Sequence, residues 1–184
     1  MSSVSQPFGL RPAYSPSGVV RPAAYTILTG YASNILQSQP VKIGTDGSIQ
    51  AAAIGDRFIG TFSGLEYTDS NGRRNVSNKW TASLAATEIV AYVTLDPSMV
   101  YEIQSNAAIV LTDIGKQYDF TTIGTGSTVT GLSAMMLNVA SSAANASLRV
   151  INIAPGVDNA IGDTYVIVQV QISEHQMVAD VAAF

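Results

Sequence analysis

His175 is the only histidine in the 184-residue chain, and this limits the chemistry that its side chains could perform. A Ser-His-Asp arrangement would need this imidazole, and Glu174 is a poor orienting group because neighbouring strand residues point to opposite faces. The chain has no cysteine, so disulfides and thiolate metal ligands are excluded. The sequence therefore favours a protein that is not an enzyme, with no cofactor and no metal site.

Two loop motifs contain residue types that bind ions or phosphates. Asp69–Gly72 resembles the opening of an EF-hand loop, but Trp80 stands where the twelfth-position Glu would be, and an Asx turn explains the motif better. An oxygen-only calcium site there or over Asp158–Asp163 is the alternative. The glycine-rich stretch Gly124–Gly131 lacks the Gly-Lys-Ser/Thr ending of a phosphate-binding loop. Neither motif predicts a nucleotide-binding protein.

The elements that would position these side chains begin with an unusual N-terminal segment. Residues 1–24 contain four of the seven prolines, two arginines and no acidic residue. Proline fixes its own φ, lacks an N–H donor and disfavours helical geometry in the residue before it. The sequence predicts an extended arm over residues 1–24, followed by a single β domain with a short C-terminal tail over residues 25–184.

The remainder of the chain has short apolar runs separated by frequent turn signals, which is typical of all-β proteins. Roughly ten short strands predict a small β-barrel or β-sandwich, similar to a β-tulip or a jelly roll. The sequence predicts a hairpin over Pro40–Ala51 that turns at Asp46–Gly47, and two strands, Glu88–Leu95 and Met99–Gln104, that pair with each other. It also predicts a bulge at Val150–Ile151 and a strand over Tyr165–Ile172. The tail, Glu174–Phe184, is compatible with a helix.

Composition and charge restrict the possible partners. Charged residues make up 12% of the chain, against about 25% in typical soluble domains, so either the surface is polar but neutral or much of it is buried against partners. The chain carries −4 and residues 1–24 carry +2, which leaves −6 for the remainder. An acidic body argues against nucleic-acid binding. No apolar run approaches a membrane span or a signal peptide, so we expect synthesis as a soluble cytosolic product.

The arm is expected to supply the partner contacts. Aromatic side chains contribute much of the binding energy at interfaces, and a local core is not expected around an extended arm. Arginines can form bidentate pairs with carboxylates of a partner. The predicted contact residues are Phe8, Arg11, Pro12, Tyr14, Arg21 and Tyr31.

Several segments, spread in order over nearly the whole chain, resemble structural proteins of tailed bacteriophages that decorate the head or form minor virion components. The segments are Phe8–Pro12, Gly30–Ser33, Pro40–Lys42, Asp46–Gly47, Ala51–Asp56, Ile59–Gly60, Tyr67–Asp69, Trp80, Ala91–Val93 and Glu174–Gln176. The resemblance implies a capsid decoration (cement) protein on the outer surface of the virion. It implies binding to the major capsid protein and to other copies of itself, with a homotrimer favoured and a homodimer possible. It supplies no catalytic residue.

Two alternatives remain at this stage. One is another virion component, placed in the tail, at the head–tail junction or on a fibre. The other is a carbohydrate-binding or hydrolytic β domain, in which exposed aromatic residues and carboxylates would meet in a cleft. Deletion of Met1–Pro22 is expected to leave the β body folded and to abolish capsid binding.

Overall fold

The computed structural model describes residues 4–121 and 126–180, and nearly all of its regular structure is β. The all-β prediction is confirmed. The sheets are antiparallel and none of those described closes into a barrel, which is consistent with a sandwich. The described strands are β1 (Arg11–Tyr14), β2 (Pro22–Tyr25), β3 (Ile35–Leu36), β4 (Pro40–Ile43), β5 (Ile49–Ala51), β6 (Gly60–Thr68), β7 (Arg74–Ser77), β8 (Lys79–Trp80), β9 (Thr87–Thr94), β10 (Val100–Gln104), β11 (Gln117–Tyr118), β12 (Gly126–Ser127), β13 (Leu132–Ser133), β14 (Leu148–Ile153) and β15 (Ile167–Ile172).

Two larger sheets organise these strands. A five-stranded sheet has the order β1-β10-β15-β14-β11, and a six-stranded sheet has the order β2-β9-β6-β4-β5 with β7 added beside β6. Two further pairs, β3 with β8 and β12 with β13, form small ribbons. The described helices are short 3-10 turns at Leu111–Asp113 and Val139–Ser141, and neither has the length to cross a membrane.

Each larger sheet has its own cluster of buried hydrophobic side chains. The cluster of the five-stranded sheet includes Tyr101, Val150 and Val170, whereas that of the six-stranded sheet includes Phe62 and Trp80. Alternation of buried and half-buried residues along β15 places one face of that strand on its core, as its β-branched sequence predicts. The residues beneath each sheet therefore fix the register of its strands.

Several local predictions are confirmed. The hairpin of β4 and β5 pairs Ile43 with Ile49 and turns through Gly47, whose N–H donates to the Gly44 carbonyl at 3.0 Å. The pairing of β14 with β15 shifts register between Val150 and Asn152, at the predicted bulge.

Two expectations are wrong. The strands β9 and β10, expected to pair with each other, belong to different sheets, so the intervening Asp96–Pro97 segment carries the chain between sheets. The tail is not helical over residues 174–180. It turns at Gln176 and Met177 and lies beside the segment before β6, with a parallel bridge between Phe58 and His175. Residues 181–184 of the tail lie outside the described residues.

The N-terminal segment is extended, as predicted, but it is part of both sheets. The strand β1 is an edge of the five-stranded sheet, where Arg11 lies opposite Glu102, and β2 is an edge of the six-stranded sheet, where Ala23 lies opposite Val93. Prolines in edge strands discourage further strand addition, because they lack the N–H donor. Leu10, just before β1, is fully buried in the core of the five-stranded sheet. A body folded independently of this segment is therefore not what the structure describes.

Candidate partner-contact surface

Four of the six predicted contact residues lie together along the edge of the five-stranded sheet: Phe8, Arg11, Pro12 and Tyr14. The guanidinium carbon of Arg11 lies 4.6 Å from the centroid of the Phe8 ring, a cation–π distance. Its Nη2 is 2.5 Å from Oε2 of Glu102 on the neighbouring strand. Arg11 is thus paired within its own chain, and its contact with a partner's carboxylate stays a prediction.

Tyr31 is separate from this group and belongs to the fold. Its side chain is half-buried against the cluster of the six-stranded sheet, and its hydroxyl accepts the N–H of Ala51 at 3.1 Å. Its carbonyl accepts the indole N–H of Trp80 at 3.1 Å. The prediction that Tyr31 lacks a local core is wrong, because residues 25–31 run along the six-stranded sheet rather than away from it.

The loop between β1 and β2, residues 15–21, is here called the arm loop. It begins with a β-turn in which the Gly18 N–H donates to the Ser15 carbonyl at 2.8 Å, and Pro16 occupies the position that proline favours. The Ser15 hydroxyl donates to Oδ2 of Asp96 at 2.5 Å. The other carboxylate oxygen of Asp96 accepts the N–H of Ser98 at 2.8 Å. The base of the arm loop is thereby fixed to the segment between β9 and β10.

The rest of the arm loop presents apolar side chains and one positive charge to solvent. Val19 and Val20 are 51% and 44% exposed. Arg21 is exposed and makes no ion pair with any residue that the structure describes. A groove of about 510 Å³ runs beside the loop and is lined by Ser17, Val19, Arg21, Pro22, Ala23, Leu95 and Asp96.

Of the predicted contact residues, Arg21 thus has the geometry best suited to an external partner. The sequence reasoning missed Val19 and Val20, which stand between a turn glycine and Pro22. Their place in the sequence could have indicated that they are exposed, because two β-branched residues confined between Gly18 and Pro22 are too few for a core strand.

The arm loop lies close to a junction between the sheets, formed by Ser15, Leu95, Asp96 and His175. The Asp96 carboxylate accepts a hydrogen bond from the Ser15 hydroxyl. The carbonyl of the preceding residue, Leu95, lies 3.3 Å from Nε2 of His175. Three segments therefore meet here: the arm loop and the β9–β10 connection, which each link the two sheets, and the segment after β15.

His175 is held by main-chain groups through both ring nitrogens. Nε2 lies 2.9 Å from the Ile59 carbonyl, and Nδ1 accepts the N–H of Met177 at 3.1 Å. The imidazole is 3% exposed, and burial holds the pKa of His175 below its ordinary value of 6.5, because a buried charged ring loses its hydration. This arrangement fits a structural histidine in its neutral form.

The turn at Asp69–Gly72 has the geometry of an Asx turn. Oδ1 of Asp69 accepts the N–H groups of Asn71 and Arg73, each at 2.9 Å, and Oδ2 accepts from the Asn75 side chain. These bonds lower the pKa of Asp69, the bond from Arg73 most strongly. Within residues 4–121 and 126–180, no three His, Asp or Glu side chains are grouped so as to hold a metal ion.

An aromatic residue and a carboxylate do meet on the outer face of the six-stranded sheet. The Tyr92 hydroxyl donates to Oε1 of Glu66, and Nη2 of Arg74 lies 3.1 Å from Oε2 of the same carboxylate. The hydrogen bond to Glu66 raises the pKa of Tyr92. Both carboxylate oxygens of Glu66 are therefore bonded within the chain, and these bonds connect β6 with Arg74 of β7 and Tyr92 of β9.

Comparison with known proteins gives no further constraint: no protein-family model, no curated protein and no solved structure matches this chain.

Proposed function

We propose that this protein is a bacteriophage capsid decoration protein, which binds the outer surface of the head and stabilises the lattice of the major capsid protein. The observation that carries the proposal is the arm loop, in which two exposed valines and Arg21 are presented from a base fixed at the junction of two sheets, and Arg21 makes no ion pair with any described residue. The full-length resemblance to phage structural proteins and the low charge content favour the same role.

The physical reasoning concerns the cost of ordering a binding loop. Fixing the backbone of a flexible residue costs roughly 1–2 kcal/mol, and this cost must be met when a disordered arm docks. In the arm loop, the turn at Ser15–Gly18 and the bond from Ser15 to Asp96 are formed before any partner arrives. A docking loop with less conformational freedom loses less entropy on binding, so more of the contact energy contributes to affinity.

The exposed side chains of the arm loop also indicate the chemistry of a complementary partner surface. Complete burial of a valine stabilises by about 1.5 kcal/mol or more, and a carboxylate beside Arg21 could form a bidentate pair. A complementary capsid surface would therefore combine a shallow apolar depression with an acidic side chain at its rim. Self-association, with a trimer favoured and a dimer as the alternative, would place several arm loops on one lattice position and increase avidity.

The first experiment is to count copies of this protein per particle, by quantitative mass spectrometry of purified virions against the major capsid protein. A decoration protein is expected at a copy number comparable to that of the major capsid protein. A value of only a few copies per particle would contradict the proposal and favour the tail or head–tail alternative. Absence from purified particles would contradict both.

A double substitution in the arm loop tests the contact surface itself. Val19→Asp with Arg21→Glu should lower the affinity for heads stripped of the protein by roughly tenfold or more, about 1.4 kcal/mol, with little change in the free energy of unfolding. The measurement is co-sedimentation with such heads over a range of protein concentrations.

The matched control places the same changes elsewhere on the surface: Val157→Asp with Arg73→Glu. Val157 is fully exposed, and Arg73 makes no ion pair among the described residues. The control should bind heads as the unaltered protein does. Equal weakening by both double variants would show that net charge, and not the arm loop, determines binding.

A further inference from the structure

The segment that follows β15, residues 174–180, is here called the strap, and it is attached to the body by three sets of contacts. The first set is formed by the main chain of Phe58: its N–H donates to the Glu174 carbonyl at 3.3 Å, and its carbonyl accepts the N–H of Gln176 at 3.2 Å. The Gln176 amide is bidentate to Ile43, accepting its N–H at 2.7 Å and donating to its carbonyl at 3.1 Å. Asp180 pairs with Arg57.

His175 is the buried centre of this attachment, and its bonding pattern defines one tautomer. The groups facing Nε2 are the carbonyls of Ile59 and Leu95, which only accept, so Nε2 must carry the proton. The group facing Nδ1 is the N–H of Met177, which only donates, so Nδ1 must carry a lone pair. A second proton on Nδ1 would point at the N–H of Met177 and remove that hydrogen bond.

We propose that the strap is an acid-sensitive latch, in which neutral His175 holds residues 174–180 on Phe58 and Ile43 and protonation of His175 releases them. Release is local because the strap follows the last described strand, β15, and carries no strand of either sheet. It would free the N–H and carbonyl of Ile43, the last residue of β4, to which Gln176 is now bonded. This inference concerns the isolated protein and does not depend on capsid binding.

The charged groups around His175 have opposing effects. The carboxylate of Asp96, from the β9–β10 connection, favours the protonated imidazole, while burial disfavours it more strongly. Glu174 precedes His175, and burial raises the pKa of Glu174, with smaller contributions from Asp180 and Asp119 and an opposing one from Arg57. Two of these residues, Arg57 and Asp180, form the ion pair at the end of the strap.

The direction of the pH dependence follows from these shifts. Because the pKa of His175 is lower in the docked state than its ordinary 6.5, the undocked state takes up the proton first, and docking weakens as the pH falls from about 6.5 toward the lowered value. Glu174 has the opposite sign, since its raised pKa favours the docked state as the pH falls toward its own ordinary value of 4.5. A Glu174→Gln background therefore isolates the effect of His175.

Amide hydrogen exchange followed by NMR tests the proposal without any ligand. The reporter amides are those of Ile43, Phe58 and Met177. The reference is the amide of Val150 in the five-stranded sheet, which donates to the Lys116 carbonyl. Between about pH 7.5 and about pH 5.5, the protection factors of the reporters should fall severalfold, up to about tenfold, while that of Val150 is maintained. An equal or larger fall is expected in Glu174→Gln, because the opposing contribution of Glu174 is removed.

Nitrogen chemical shifts of the ring provide the second measurement. At neutral pH they should identify a proton on Nε2 and a lone pair on Nδ1, and the loss of reporter protection should follow the titration of Nδ1. A proton on Nδ1 at neutral pH would overturn the proposal. So would pH-independent reporter protection in the unaltered protein, or a pH effect that disappears in Glu174→Gln.

His175→Gln is the matched variant, because a glutamine amide can donate to the Ile59 carbonyl but does not titrate. Its reporter protection should not fall between the two pH values. A severalfold fall in this variant would overturn the assignment to His175. If the variant does not fold, the titration of the unaltered protein and of Glu174→Gln still decides the matter.

Discussion

Removal of residues 1–14 is expected to lower the free energy of unfolding by at least about 3 kcal/mol. Leu10 is fully buried in the core of the five-stranded sheet, and burial of a leucine alone contributes about 1.5–3 kcal/mol. The truncation also removes β1 from the edge of β10. In addition, it leaves the buried amide of Gln104 without the N–H of Gln6, at 2.9 Å, and the carbonyl of Val4, at 3.1 Å.

Urea denaturation at neutral pH measures this effect, and two substitutions in the full chain serve as controls. Leu10→Ala should cost about 2–5 kcal/mol, as core truncations do. Val4→Ala, at a side chain that is 61% exposed, should change the stability by no more than about 0.5 kcal/mol. A truncated protein as stable as the full chain would contradict the structure and restore the prediction of an independent arm.

Gly60→Ala is expected to be the most damaging single substitution, with a loss of about 4 kcal/mol or failure to fold. Gly60, the first residue of β6, has a φ of +157°, and a Cβ at this position would lie 1.8 Å from the Thr94 carbonyl oxygen. The nearest atoms all belong to the backbone of β9 and the residue after it, so no side-chain rotation can relieve the collision. The strand pairing of β6 with β9 would have to separate.

Gly72→Ala is the matched control, because it separates the collision from the backbone conformation. Gly72 has a φ of +74°, and no atom lies within 4 Å of the position of its Cβ. Its cost should be the conformational term alone, about 1–2 kcal/mol. The same denaturation measurement compares the two variants, and similar losses at both positions would show that β6 and β9 can separate without penalty at Gly60.

The parts of the fold that the sequence predicted are those determined by local chemistry. The Asp46–Gly47 turn specifies the β4–β5 hairpin because its flanking residues alternate and its glycine accepts a positive φ of +78°. The bulge in β14 was visible because two apolar residues, Val150 and Ile151, break the alternation. In both cases the controlling residues are neighbours in the chain.

The parts that the sequence did not predict depend on pairing between distant segments. Nothing local distinguishes a tight hairpin between β9 and β10 from a crossover at Asp96–Pro97, since the choice depends on which edge each strand finds. The same applies to the contact residues. Arg11 was correctly placed on an extended segment, but its pairing with Glu102 depends on the register of β1 against β10.

The two sheets differ in how their strands are distributed along the chain, and this affects the order in which they can form during synthesis. The strands of the six-stranded sheet all lie within residues 22–94, so that sheet can assemble as soon as this length has left the ribosome. In the five-stranded sheet, β1 must wait for β10, because Arg11 and Glu102 are 91 residues apart. Pairing over such a separation is slow, since the entropy of closing the intervening loop must be overcome first. Throughout that interval Leu10 remains exposed on the nascent chain, and Pro12 limits its association with other unpaired strands. Among the strands that the structure describes, β1 is thus synthesised well before the strand with which it pairs.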